Sequence, residues 1–381
     1  MKKIHDLDNN NQINKAGIVR KKPGGNYMFN QKRIRDYGVE IGRLKTGPRN
    51  AITDVEGVKV GHTTLSGPNM QTGVTAIVPH PGNLFKEKLI ASSHVINGFG
   101  KTMGTIQMAE LGTLETPILL TNTLGIGVAA DTLIDYMMEQ NLEIGRTTGT
   151  VNPVVGECND MFLNDIRAKH IKPEHVRKAL EKTSVEFEEG AVGAGRGMLC
   201  YSLKGGIGSA SRILEMASGN YTIGVLVLSN FGILSDLLVK GKAVGQELKK
   251  GMLESYKEED KGSVMIIVAT DLPVSERQLN RILKRSVTGL SRTGSIITNG
   301  SGEIVLGFST ATKIPHGRPE QLLETKQIHE EEMDIAFRAV GEATEEAVLN
   351  SLVTAEAVAG RDGNHRPAFK DLIEEFGISL I

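Results

Sequence analysis

The sequence predicts an α+β fold in which β-sheets are covered by layers of helix. Strand-like and helix-like segments are mixed without the regular βαβ alternation of a doubly wound sheet. Two runs, TIGVLVLSN (222–230) and SVMIIVAT (263–270), are almost continuously apolar, as strands covered on both faces require. The chain has 44 glycines, no tryptophan and 4% aromatic residues, so its core is built from Val, Ile, Leu and Ala. Its glycines serve sharp turns and close backbone approach.

Residues 1 to about 30 are polar, rich in Asn, Lys and Gly, and carry no apolar periodicity. The expected organisation is a flexible arm over 1–32 and one domain over 33–381. From about residue 50, short β-type runs follow with turn punctuation: VEGVKVGHTT, TGVTAIVPHPG and TPILLTNT. In GVAADTLIDYMMEQ, Leu133, Ile134, Met137 and Met138 recur at helical spacing, and KPEHVRKALEK repeats the habit. Ser275 and Gln278 form a capping box, opening a helix along Leu279, Ile282, Leu283, Val287 and Leu290. SIITN and EIVLGF read as a hairpin pair around NGSG, and MDIAFRAVGEATEEAVLNSL reads as a closing helix.

Length and composition describe a globular chain of 381 residues with a formal net charge of −1. That balance gives no electrostatic reason to expect a nucleic acid or an anionic membrane as partner. No apolar run approaches the roughly 18 residues of a membrane span, and no apolar segment of a secretory signal follows the first lysines. A cytoplasmic protein is the expectation. Two isolated cysteines, Cys158 and Cys200, make neither a disulfide framework nor a zinc ribbon. The nine histidines form no HExxH pattern, so no metal is expected, and His62, His80 and His316 read as turn or surface residues. NGFGKTMG (97–104) has the wrong glycine spacing for a dinucleotide site. KGGIGS puts Lys204 before the glycines rather than after them, which fails as a phosphate loop. These glycines are assigned to loops around a substrate pocket.

One seam stands out. Half of the residues from Lys240 to Lys261 are charged and belong in water, whereas the run from Val264 belongs in the core. Gly262 and Ser263 mark the crossing. A serine hydroxyl is a weak nucleophile without a base. Were the chain to break between Gly262 and Ser263, the new α-amine, with a reference pKa of roughly 7.7–8.0, would supply that base on the same residue. Gly-Ser is also an ordinary turn dipeptide and occurs four times here, so the seam alone does not establish self-cleavage.

The ordered set of motifs decides between the two readings. AITDVEGVKVGHTTL (51–65), NPVVGECND (152–160), GAVGAGRGM with KGGIGSASR (190–212), VLVLSNFG (225–232), KGSVMIIVATDLP (261–273) and RTGSIITNGSGEIVLGFST (292–310) resemble the self-processing serine peptidases typified by L-aminopeptidase/D-amidase-esterase and the β-aminopeptidases. The likeness runs from about residue 33 onward. It implies a four-layer αββα sandwich, related to the ornithine acetyltransferase fold, and a precursor cut into residues 1–262 and 263–381. It further implies no cofactor and a homo-oligomer of two-chain units, such as a tetramer. Substrates would be short peptides or amino-acid amides and esters. By resemblance, Ser263 is the nucleophile, Ser301 and Glu303 orient it and its amine, and Asn230 is an oxyanion donor. Glu157 receives the substrate's amino group. Some relatives carry a tyrosine in the NPVVGECND motif as second oxyanion donor, where this chain reads Glu157, Cys158, Asn159 and Asp160, and Asn159 is the residue expected to substitute for it. An acyltransferase on the same fold and a binding protein that never cleaves are the competing readings.

Overall fold

The computed structural model describes residues 31–252 and 262–381. Residues 1–30, most of the arm expected over 1–32, and the end of the charged run, 253–261, lie outside the described residues.

Two sheets form the centre. One has four strands in the order β1 (Lys59–Gly67), β2 (Met70–Val78), β5 (Ile118–Asn122), β6 (Val154–Cys158). Between β2 and β5 the chain makes β3 (Glu87–Gly98) and β4 (Thr113–Leu114), which belong to the other sheet. After β6 come a two-residue hairpin, β7 (Leu199–Cys200) and β8 (Leu203–Lys204), then the long β9 (Gly206–Met216) and β10 (Gly219–Asn230). β11 (Ser263–Thr270) and β12 (Gly302–Pro315) complete a six-stranded sheet, ordered β4-β3-β12-β11-β10-β9. The helices are α1 (Thr105–Leu111), α2 (Ile126–Gln140), α3 (Pro173–Glu181), α4 (Val244–Gly251), α5 (Glu276–Leu283), α6 (Ser286–Arg292), α7 (Met333–Val353) and α8 (Phe369–Glu375).

The apolar runs of β10 and β11 work as two interleaved stripes. Val264, Ile266 and Val268 join Val225 and Val227 in the core beneath α5, α6 and α7. Met265, Ile267 and Ala269 join Leu226 and Leu228 in the core between the sheets. Alternation with apolar residues on both faces is what a strand buried on both sides needs. A third core of Val74, Leu119, Val155, Leu133 and Val176 seats α2 and α3 on the four-stranded sheet. The layers are therefore helix, sheet, sheet, helix, as the resemblance implies.

Two local expectations are corrected. The segment 295–298 is not a strand: both sides of β12 at Gly302 are taken, by Ser263 in parallel and Gly98 in antiparallel pairing, so no edge is left for a hairpin mate. The helix after Ser275 is also not continuous. Its capping box is present, with Ser275 Oγ accepting from the Gln278 amide at 3.2 Å, but the chain turns at 284–285 and restarts as α6. The restart lets Gly289 lie directly on α7, where a Cβ would meet Thr344 and Glu345. His62 is not a turn residue either, and His80 is not on the surface. His62 lies on β1 with its ring between Thr75 Oγ1 and the Glu188 carbonyl, and burial pushes its pKa down to about 4. His80 does sit in the turn after β2, where its Nδ1 accepts from the Gly82 amide at 3.0 Å, but it is buried there, its other ring nitrogen bonded to the Glu87 carbonyl.

Candidate functional site

Ser263 is the first residue of β11, buried, and lies between two neighbours. On one side it pairs with Asn230, the last residue of β10; on the other it pairs with Gly302, the first residue of β12. Three strand ends meet here because glycines let them. A Cβ on Gly262 would press into the backbone of Asn230 and Phe231, and one on Gly302 into the backbone of Phe99. The Gly302 amide donates to the Gly262 carbonyl at 3.3 Å. The peptide carbonyl preceding Ser263 is thus held by a backbone donor from the neighbouring strand.

Ser301 and Glu303 flank Gly302 and are both fully buried. Residues two apart in an extended segment share a face, and Ser301 Oγ hydrogen-bonds Glu303 Oε1. The loop leading to them is tied by Asn97, whose Nδ2 bonds the Ser301 carbonyl and the Thr298 carbonyl. Glu303 stands opposite Val264 in the parallel ladder, one residue beyond Ser263.

The Asn230 amide is fixed at both ends. Its Oδ1 accepts from the Leu199 amide at 2.9 Å and its Nδ2 donates to the Asn159 carbonyl at 3.1 Å. With one Nδ2 hydrogen committed, the other remains available as a donor.

The second sheet supplies the opposite wall. Glu157, near the end of β6, is buried; Oε1 accepts from the Lys101 amide at 2.9 Å and Oε2 from Thr123 Oγ1. Neither donor is charged, and among the described residues Glu157 has no ion-pair partner, so its negative charge is unmatched. Beside it the Cys158 thiol donates to the Leu228 carbonyl at 3.6 Å and lies near Ser263, and burial pushes its pKa well above the usual range. Cys158 is a neutral thiol against the serine. Both cysteines are buried.

Of the residues singled out in the sequence, Ser263, Asn230, Ser301, Glu303 and Gly262 come together at one end of the six-stranded sheet, while Glu157 lies near the end of β6 next to Gly100, whose neighbour Phe99 packs on Gly302. Asn159 is present in a different capacity: its side chain accepts from the Met161 amide, and it is its carbonyl that touches Asn230. The glycines of 97–104 reach the site, with Gly98 paired to Gly302 and Gly100 next to Glu157. Gly205 and Gly206 serve tight packing against Cys200 and Gly190 rather than an open loop. Lys101, Thr123, Leu199 and the Gly302 amide were not foreseen, and three of these four act through backbone N–H groups.

The sequence profile of peptidase family S58 matches residues 50–366. The chain is 36% identical over 354 residues to the β-peptidyl aminopeptidase BapA of Sphingosinicella microcystinivorans, covering 87% of this chain and 88% of that protein. A solved protein of Pyrococcus horikoshii superposes with a TM-score of 0.86 at 49% identity, covering 91% of this chain and 98% of that one. The L-aminopeptidase D-Ala-esterase/amidase of Ochrobactrum anthropi, described as a prototype of the serine aminopeptidases and a new variant of the Ntn hydrolase fold, superposes with a TM-score of 0.83 at 34% identity. That match covers 92% of this chain and 99% of the other. The chain belongs to peptidase family S58.

Proposed function

We propose that this peptidase is a serine aminopeptidase that activates itself by cutting between Gly262 and Ser263 and then works as an N-terminal-nucleophile hydrolase. The observation that carries the reading is the setting of Ser263. It is a buried serine at the start of a rigid strand, preceded by a residue that only glycine can be, between Asn230 and the Ser301–Glu303 pair.

In the self-cleavage step, Ser263 Oγ attacks the Gly262 carbonyl carbon and the Gly302 amide bears on the oxygen that becomes negative. The peptide C–N bond breaks, the nitrogen takes up a proton, and the resulting ester is hydrolysed by water. This leaves a free α-amine on Ser263. In turnover that amine takes the Ser263 Oγ proton, with Ser301 and Glu303 holding it in place. Oγ attacks the substrate carbonyl, Asn230 Nδ2 donates to the oxyanion, and the leaving amine departs with the proton. Water then releases the acyl group. Glu157, with its unmatched charge, receives the substrate's ammonium group. The substrates are short peptides or amino-acid amides and esters with a free amino terminus.

Intact mass and N-terminal sequencing of purified protein test this directly. The expected result is a second chain beginning at Ser263, with Ser263→Ala giving one uncut chain and no turnover. A mature chain beginning elsewhere, or full turnover by Ser263→Ala, overturns the proposal. Turnover of an aminoacyl ester with added amine acceptor separates hydrolysis from acyl transfer: product that is chiefly the transferred amide would make the enzyme an acyltransferase.

A further inference from the structure

Lys204, the last residue of β8, is fully buried, and among the described residues it has no carboxylate partner. Burial, and after it the nearby cation Arg196, push its pKa well below the usual lysine range, so what holds a proton there is its hydrogen bonding. Taking an ammonium out of water without a counter-ion is costly, and an apolar side chain of similar volume would fill the same space more cheaply. The compensation is complete in hydrogen bonds. Nζ donates to the carbonyls of Gly195 at 2.9 Å, Met198 at 2.6 Å and Gly205 at 2.6 Å, one for each of its three hydrogens.

What those carbonyls belong to gives the arrangement its meaning. Gly195 and Met198 bracket the turn that runs into Leu199, and the Leu199 amide is the group that fixes Asn230 Oδ1. Leu199 also pairs with Lys204 itself across the β7–β8 hairpin. The ammonium therefore sits under the one backbone donor that tells the Asn230 amide which way round to lie. With Oδ1 held toward Leu199, Nδ2 is the end that faces the site. Were the turn to relax, the amide could rotate and offer an acceptor where the reaction needs a donor.

We propose that Lys204 is a positioning residue for the oxyanion donor: it pins the 195–198 turn by three carbonyls, so that Leu199 holds Asn230 with its NH₂ toward the reacting carbonyl. The proposal rests on the reading of Asn230 as oxyanion donor. Lys204 touches neither substrate nor Ser263, so its loss lowers kcat and leaves KM nearly unchanged.

The test is a double-mutant cycle on Lys204→Met and Asn230→Ala, with Lys204→Gln as a second variant that keeps two of the three donors. Folding is checked by circular dichroism and melting, processing by denaturing gel, and kcat and KM with an aminoacyl p-nitroanilide. Removing an oxyanion donor typically costs about 10²–10³ in kcat; Asn230→Ala falls in that range. Lys204→Met, which only loosens the donor, falls on the order of tenfold with KM within about twofold. Lys204→Gln lies between it and the parent. In the Asn230→Ala background, Lys204→Met has no further effect. An equal loss in both backgrounds, an unchanged kcat, or the failure of both Lys204 variants to fold overturns the inference. If Asn230→Ala itself turns over like the parent, the underlying assignment of Asn230 fails instead.

Discussion

Asp160 follows directly on Asn159, the residue whose carbonyl receives Asn230, and its carboxyl is fully buried. Its Oδ1 accepts from Asn164 Nδ2 at 3.0 Å, with Thr72 and Asn122 beside it. Burial raises its pKa to about 6 from the ordinary 3.8; the Asn164 hydrogen bond and the polar Thr72 and Asn122 nearby pull the other way without cancelling it. A folded-state pKa above the unfolded one means that the folded chain holds the proton more tightly. Below about pH 3.8 the group is protonated in both states and costs nothing; through the window from there to about 6 the cost grows as pH rises, and above it the full penalty applies. Two pK units amount to about 3 kcal/mol at neutral pH. Asp160→Asn has the same shape, keeps an oxygen for Asn164 and never ionises. It is expected to be more stable than the parent by up to about 3 kcal/mol near pH 7.5, less about 1 kcal/mol if its new NH₂ group finds no acceptor. The advantage shrinks toward zero as pH falls to about 4. Urea unfolding of both proteins across that pH range measures the gap. A gap that does not change with pH, or a variant less stable than the parent at neutral pH, would refute the reasoning.

Gly262→Ala places a methyl group 2.8 Å from both the Asn230 carbonyl carbon and the Phe231 Cα, closer than packed atoms come, so the β10–β11 pairing at Ser263 must shift. The expected outcome is a folded chain that stays full length on a denaturing gel; processing at the parent rate would contradict it. Glu157→Gln keeps the shape and removes the unmatched charge. Loss of a charged hydrogen bond of about 1.5–3 kcal/mol should raise KM for free-amine substrates roughly 10–100-fold, while N-acylated esters change little. An equal effect on both substrate types would remove Glu157 from amine recognition.

The parts of the fold that could be read in the sequence are those decided by local periodicity. β10 over 225–228 and β11 over 264–269 carry apolar residues at every position because neighbours such as Val264 and Met265 face different cores, and an uninterrupted run is the signature of that situation. The capping box at Ser275 is equally local. Two features depended on distant chain. The helical spacing of Leu279 through Leu290 continues across the break at 284–285, because what breaks the helix is the approach of Gly289 to α7, some fifty residues farther along. Likewise NGSG satisfies every short-range rule for a hairpin, but β12 finds its partners in β3 and β11.

The site divides along a different line. Ser263, Ser301, Glu303, Asn230 and Glu157 could be proposed as site residues because their chemistry resides in side chains and their motifs carry a family likeness. Backbone donors leave no such trace: every residue but proline has an N–H, so nothing in the letters marks the amides of Gly302, Lys101 or Leu199. Asn159 shows the converse, since its type suggested a side-chain donor and it is its carbonyl that meets Asn230. Lys204 combines both difficulties. KGGIGS does not have the residue order of a phosphate loop, and lysine is so rarely buried unpaired that composition argues for the surface. Only the convergence of three carbonyls from chain segments 1, 6 and 9 residues away reveals an interior ammonium. Residues that act by holding backbone in place are therefore the portion of an active site that a sequence conceals most completely. The place to look for them is beneath the side chains whose orientation the chemistry depends on.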